Sequence, residues 1–119
     1  IMELLAKHFN IKNVKKFTRV RNEYFMNLVK NGIKPMPGLF DLVDFIKHAG
    51  LKRALATSGL KKYAEDVMRQ LNLSDFFDAS VTGDEVKNPK PAPDTFLIAA
   101  QKLGAKPADC AVLEDAEKG

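Results

Sequence analysis

The sequence predicts an α/β protein in which a helical segment precedes a Rossmann-like parallel β-sheet with flanking helices. Two observations carry this prediction. Helical and strand patterns alternate from residue 39 to residue 114, which is typical of βαβ units and a parallel sheet. Residues 13–30 instead repeat apolar side chains at spacings of three and four, the period of an amphipathic helix.

The opening third is expected to be all-helical, with an amphipathic pattern over residues 1–10 and a longer helix over 13–30. The stretch "NGIKPMPG" at 31–38 then brings two glycines and two prolines, which interrupt helices and mark a boundary. We therefore predict two parts, a partial helical domain over 1–34 and a partial α/β domain over 35–119.

Each element of the α/β part has start and stop signals, such as the glycines at positions 50 and 104 that close two helices. The expected helices cover 39–50, 61–71 and 93–103, and the expected strands cover 52–57, 78–83 and 110–114.

Composition excludes several classes of protein. With 119 residues, 45% hydrophobic and 29% charged, the chain is of ordinary globular type. No apolar stretch approaches the roughly 20 residues of a membrane span. The net charge of +4 comes from scattered lysines, so neither nucleic acid nor a membrane is an expected partner. A single cysteine, Cys110, fits a reducing compartment, so we expect a cytoplasmic protein with Cys110 as a small buried residue.

In open parallel sheets, ligands bind beyond the carboxyl ends of the strands. The motif "ALATSG" ends its strand on Thr57 and Ser58, and Gly59 leads into a helix. Hydroxyls and free backbone N–H groups at a helix start suit an anion such as phosphate. The same residue types also serve as helix N-caps, and the motif alone fits both interpretations.

The motif "KNPKPAPDTF" places Lys90 between Pro89 and Pro91. Prolines fix φ and hold the preceding residue extended, so Lys90 is expected on a stiff loop, where it can meet a charged substrate. The alternative is an ordinary surface lysine. Asp94 is expected to begin the next helix, where its charge suits the helix dipole.

The strand "CAVLE" delivers two adjacent carboxylates, Glu114 and Asp115. Their mutual repulsion is tolerable beside a hard cation, and Mg²⁺ takes one or two protein carboxylates together with phosphate and water. The alternative is a solvated acidic turn. His8 and His48 are expected to be structural.

A hydroxyl after an apolar strand, a lysine in "KPAPDTF" and an acidic pair in "VLED", in this order, resemble the haloacid dehalogenase superfamily. Within it, the chain is most similar to the β-phosphoglucomutase-like branch of phosphatases and phosphomutases. The likeness covers about residues 35–119, and residues 1–34 resemble part of the helical cap of this branch. The resemblance implies Mg²⁺-dependent phosphoryl transfer on a small phosphorylated metabolite through an aspartyl-phosphate.

The resemblance also implies residue roles. Thr57 would hydrogen-bond a phosphoryl oxygen, while Ser58 and Gly59 would offer backbone N–H groups. Lys90 would neutralise the nucleophile and the transferring phosphoryl group. The metal would be held by the acidic pair, by Asp115 directly and by Glu114 directly or through water.

The chain departs from the family pattern in two respects. Ala116 stands where many relatives carry serine, and no Asp-x-Asp motif, the family's source of nucleophile and acid/base, occurs in the 119 residues. We therefore expect a fragment that begins within the cap and ends within the fourth motif. It would lack the central first strand, which the family places between the strands ending at Thr57 and Glu114. It would be inactive alone and able to self-associate.

Three other functions are compatible with parts of this pattern. Haloacid dehalogenation needs no metal, so the acidic pair argues against it. A phosphate-accepting signalling receiver has its acidic pair first and its lysine last, the reverse of the order here. A noncatalytic binding module with the same fold stays open.

Overall fold

The computed structural model describes residues 2–115. The chain divides into two compact units, Ile1–Ile33 and Lys34–Gly119. The first contains α1, Met2–His8, and α2, Val14–Lys30, which confirms the helix predicted over 13–30. The Asn13 side chain caps α2 by accepting a hydrogen bond from the Lys16 amide at 2.9 Å. The assignment of this unit to a cap stays a prediction.

The second unit alternates helices and strands as predicted. Its elements are α3 (Leu39–His48), β1 (Ala54–Ala56), α4 (Lys61–Gln70), β2 (Ala79–Val81), α5 (Asp94–Lys102) and a short 3₁₀ helix (Pro107–Asp109). The two strands pair in parallel, with Ala54 opposite Ala79 and Ala56 opposite Val81. The α/β class is confirmed, with a small two-stranded sheet in the described residues.

Apolar packing holds the second unit together. One cluster centres on Val43 of α3 and on Leu73 and Phe76, which follow α4. Helix α5 packs against both strands and buries Thr95 and Ala99. The side chain of Val81 at the end of β2 is completely buried. The carboxyl ends of both strands are therefore anchored by this packing.

The start of the sheet is fixed by an ion pair. Asp78 accepts hydrogen bonds from the backbone amide of Arg53 at 2.7 Å and from its guanidinium at 3.1 Å. The guanidinium also lies 5.0 Å from the centre of the Phe76 ring. Because of the Arg53 hydrogen bonds, the pKa of Asp78 lies below its ordinary value. One carboxylate thus joins the starts of both strands.

The prediction of a strand over 110–114 was wrong. Residues 110–114 pair with no strand in the part of the chain that the structure describes. A strand needs a neighbouring ladder to satisfy its backbone groups, and the described sheet ends at β1 and β2. The expectation for Cys110 was also wrong, because the residue is half-buried and its Sγ lies 3.3 Å from the Lys106 carbonyl oxygen.

As predicted, Asp94 begins α5 and His48 lies in the last turn of α3, where its ring Nδ1 donates to the Asp44 carbonyl at 2.7 Å. Within residues 2–115, no helix combines the length and the apolar character that crossing a membrane requires.

Candidate active site

The first predicted site segment, the loop of Thr57, Ser58 and Gly59, links β1 to α4. The Thr57 amide donates to the Val81 carbonyl at 3.0 Å, which extends the pairing of the strands into the loop. The Thr57 hydroxyl accepts a hydrogen bond from the Gly59 amide at 3.0 Å. Thr57 therefore does not cap α4, and the N-cap position is held by Leu60, whose side chain makes no cap bond.

These hydrogen bonds determine which N–H groups of the loop are available to an anion. The Gly59 N–H is already bonded to the Thr57 hydroxyl, so a phosphate oxygen would have to share or replace that bond. Among the described residues, the Ser58 amide donates no hydrogen bond, and Ser58 is exposed. The loop thus presents one uncommitted donor next to a hydroxyl at the start of a helix, where anions are favoured.

A second loop, residues 82–85, packs against the first and was missed by the sequence reasoning. The Gly83 amide donates to the Gly59 carbonyl at 2.9 Å. Asp84 Oδ1 accepts from the Lys61 amide at 3.1 Å and from the Thr82 hydroxyl at 2.6 Å. The available signal was "TGDE" directly after the apolar strand, but the strand was expected to continue to Gly83, whereas β2 ends at Val81.

The neighbouring acid, Glu85, also fixes this loop. Glu85 accepts from the Thr82 amide at 2.9 Å and from Lys102 Nζ at 3.0 Å. Lys102, the last residue of α5, also donates to the Ser80 carbonyl at 2.7 Å. The pKa of Glu85 is lowered chiefly by Lys102, and that of Asp84 chiefly by the Thr82 hydroxyl. Both carboxylates are therefore ionised at neutral pH.

Lys90 and Glu114 are brought together, although 24 residues separate them. Lys90 Nζ donates to Glu114 Oε2 at 2.5 Å, and only 13% of the Lys90 side chain is exposed. The ammonium also lies 4.5 Å from the centre of the Phe96 ring, a favourable cation–π distance. Lys90 is thus not an ordinary surface lysine, and Phe96 is a neighbour that the sequence reasoning missed.

The loop that carries Lys90 is tied to the helix that follows it. Asn88 Nδ2 donates to Asp94 Oδ1 at 2.9 Å, which joins the loop to the first residue of α5. Helix α5 therefore contacts this loop at two points, at Asn88 through Asp94 and at the Lys90 ammonium through the Phe96 ring.

The acidic pair offers a donor set that suits a hard cation. Glu114 and Asp115 supply only oxygen ligands, and Asp115 is exposed. In residues 2–115, no group of three or more His, Cys, Asp or Glu side chains is arranged to hold a metal. Two carboxylates fit Mg²⁺, which keeps several waters and binds phosphate oxygens. Ala116 lies outside the described residues.

A cavity of about 410 Å³ lies elsewhere in this unit, between α4 and β2. Lys61 and Thr82 reach its wall, whereas Ser58, Lys90 and Glu114 do not line it. Ser58, Lys90 and Glu114 therefore lie outside this cavity.

Comparison with known proteins gives consistent results. A family model described as haloacid dehalogenase-like hydrolase matches residues 2–119. The chain is 39% identical over 103 residues to the fructose-1-phosphate phosphatase YqaB of Escherichia coli, covering 85% of this chain and 53% of that protein. It is 36% identical over 122 residues to the phosphorylated carbohydrates phosphatase of Thermotoga maritima, covering 100% of this chain and 54% of that protein.

A solved structure agrees with these relatives. The fold matches the β-phosphoglucomutase of Clostridium difficile with a TM-score of 0.85 and 28% identity, covering 99% of this chain and 57% of that chain. The chain spans about half the length of the curated relatives it matches. It belongs to the haloacid dehalogenase-like hydrolase family, in the β-phosphoglucomutase-like branch.

Proposed function

We propose that this chain contributes to a Mg²⁺-dependent phosphatase or phosphomutase that acts on a small phosphorylated sugar. The observation that carries the proposal is the contact between Lys90 and Glu114, which places an ordered cation beside the acidic pair. The similarity to two phosphatases of sugar phosphates supports this substrate class.

The proposed roles follow from the chemistry of each group. The Thr57 hydroxyl and the Ser58 amide hold phosphoryl oxygens, and the Lys90 ammonium offsets negative charge on the transferring group. Positioning and fixed charge supply most of the catalysis in phosphoryl transfer. Glu114 and Asp115 would hold Mg²⁺, which supplies charge neutralisation at the phosphoryl oxygens when bound.

The covalent step needs a nucleophile. In the proposal, an aspartate from outside these 119 residues attacks phosphorus, and the sugar oxygen leaves as the P–O bond breaks, taking a proton from a second, acid/base aspartate. The phosphoryl group of the resulting aspartyl-phosphate is then transferred to water or to another hydroxyl, whose proton returns to the acid/base aspartate, and the first carboxylate is released. The 119 residues hold no Asp-x-Asp motif. Water as acceptor gives a phosphatase, and a sugar hydroxyl gives a phosphomutase.

The test measures turnover of fructose 1-phosphate, glucose 1-phosphate and other sugar phosphates by the intact protein, with Mg²⁺ titrated from zero. Asp115→Asn is expected to raise the Mg²⁺ concentration for half-maximal activity by about tenfold or more, the scale on which even outer-sphere partners affect metal affinity. Asp109→Asn, an exposed acid in the nearby 3₁₀ helix, is the matched control and should leave it unchanged.

Two results would contradict the proposal. Absence of turnover with all the sugar phosphates at saturating Mg²⁺ would favour the noncatalytic binding module. Turnover that needs no divalent cation, or an Asp115→Asn variant with the Mg²⁺ dependence of the wild type, would remove the metal role of the acidic pair.

A further inference from the structure

We propose that the 82–85 loop positions the 57–59 loop for phosphate binding, with Asp84 and Gly83 as positioning residues. This inference rests on the phosphate-binding role proposed above for the 57–59 loop. It concerns residues that follow β2 and contact the start of α4.

Asp84 joins the end of one strand to the start of the next helix. A single carboxylate oxygen accepts from the Lys61 amide, the first residue of α4, and from the Thr82 hydroxyl. Thr82 is 1% exposed and immediately follows the fully buried Val81, so the carboxylate is held from a rigid point. The N-cap residue Leu60 has no polar side chain. Asp84, which is distant in sequence, therefore accepts a hydrogen bond from an amide at the start of α4 in its place.

Gly83 brings the two loops into direct backbone contact. Its amide donates to the Gly59 carbonyl at 2.9 Å. A Cβ atom added at Gly83 would lie 2.3 Å from the Ser58 carbonyl oxygen and 2.9 Å from the Ser58 carbonyl carbon. No side chain larger than hydrogen fits there, so residue 83 sets how closely the two loops approach each other.

The positioning loop is itself held by contacts other than the one with α4. Glu85 bonds the Thr82 amide and Lys102 Nζ, and Lys102 also bonds the Ser80 carbonyl. The 82–85 loop is therefore fixed by α5 and β2, and it passes this constraint to the 57–59 loop. Small misplacements of groups that orient a substrate are costly to binding and turnover.

The experiment compares Asp84→Ala, Asp84→Asn and Gly83→Ala in the intact protein. Steady-state kinetics give kcat and KM for a sugar phosphate and the inhibition constant for inorganic phosphate, and hydrogen exchange reports the amides of residues 58–61. Asp78→Ala is the matched control, since it removes a carboxylate bound to the Arg53 amide at the opposite ends of the same strands.

Asp84→Ala and Gly83→Ala are expected to raise KM and the phosphate inhibition constant about tenfold, more than they lower kcat, and to speed exchange at 58–61. Asp84→Asn keeps an oxygen that can accept both hydrogen bonds, so it should stay within about threefold of wild type. The control variant Asp78→Ala should lower the melting temperature without changing KM or the phosphate inhibition constant.

The inference would be overturned if the inhibition constant for inorganic phosphate were no higher in Asp84→Ala than in Asp78→Ala. It would also be overturned if Asp84→Asn raised KM and this inhibition constant as much as Asp84→Ala does. If Asp84→Ala does not fold, KM and the phosphate inhibition constant of Gly83→Ala test the inference instead. If the wild type neither turns over sugar phosphates nor binds phosphate, the proposed function fails. Exchange at 58–61 then still tests the loop contact, and rates equal to those of the control would refute it.

Discussion

Lys90, to which we assign an electrostatic role in the proposed function, is held by two contacts. Its ammonium is held between the Glu114 carboxylate and the face of the Phe96 ring, with 13% of the side chain exposed. A cation already fixed in place needs little reorganisation when a charged group arrives. The two contacts therefore set both the position of the charge and its shielding from water.

Replacing this lysine tests the charge separately from the packing. Lys90→Met keeps an unbranched apolar chain that can still contact Phe96, so we expect the fold to persist. Turnover of a sugar phosphate by the intact protein should fall about 10²- to 10³-fold, as for other preorganised electrostatic contacts. Steady-state kinetics and a thermal melt measure the two effects.

The matched control is Lys87→Met, because Lys87 is an exposed lysine of the same loop. It should leave kcat within the error of the wild type. Near-normal turnover in Lys90→Met would reduce Lys90 to a packing role and remove it from the proposed site.

At the scale of elements, the two strands depend on side chains at their ends. Each strand has three residues, and so small a sheet is marginal on its own. Asp78 joins the starts of the strands through Arg53, while Asp84 and Glu85 hold the turn after β2. Carboxylates bonded to backbone amides thus stabilise both ends of the ladder.

These carboxylates predict how stability depends on pH. Hydrogen bonds from Arg53, Thr82 and Lys102, in that order, lower the pKa of Asp78, Asp84 and Glu85 in the folded state. The unfolded chain therefore binds protons more readily. The stabilisation is fully present above the ordinary carboxyl pKa of about 4 and is lost as pH falls below it, through the lowered folded-state values.

Denaturant unfolding of the intact protein between neutral pH and about pH 3 would measure this loss. Replacing the acids by Asp78→Asn and Glu85→Gln should flatten the pH dependence, whereas Asp41→Asn, an exposed acid of α3, should not. A free energy of unfolding that is independent of pH over this range would contradict the assignment.

Periodicity and stop signals predicted these elements because helices α3 to α5 follow local patterns that residues such as Gly50 and Gly104 terminate. Lys90 and Glu114 were both predicted as candidate site residues, and the structure brings them together although Glu114 does not end a strand of the described sheet. The 110–114 strand was wrong because a strand depends on a neighbour, which local pattern does not report. The 82–85 loop was missed because its side-chain partners outside the loop, Lys61 and Lys102, lie 23 and 17 residues away in sequence.

At the scale of the whole chain, the described sheet has only two strands, and large apolar side chains of the 110–114 segment are exposed. Leu113 is 76% exposed and Val112 is 54% exposed. Within residues 2–115, the edge of β1 that faces away from β2 carries no ladder. Unpaired strand edges and exposed apolar side chains each favour association with another chain.

We accordingly predict that these 119 residues, produced alone, self-associate and hydrolyse no sugar phosphate. Light scattering coupled to size exclusion would show species larger than one chain, and a phosphate-release assay would show no turnover. Lys90 and the acidic pair would have no nucleophile to activate, because the sequence contains no Asp-x-Asp motif. A stable monomer with phosphatase activity would contradict both parts of this prediction.

The contact of Gly83 with the Ser58 backbone has a consequence for protein engineering. A Cβ at residue 83 would lie 2.3 Å from the Ser58 carbonyl oxygen, so the two loops cannot be exchanged independently. Grafting a longer or differently shaped 57–59 segment, for example to accept a bulkier phosphate ester, requires transplanting 82–85 with it as one cassette. Libraries that randomise the 57–59 loop alone would contain mostly variants whose loop backbone clashes with residue 83.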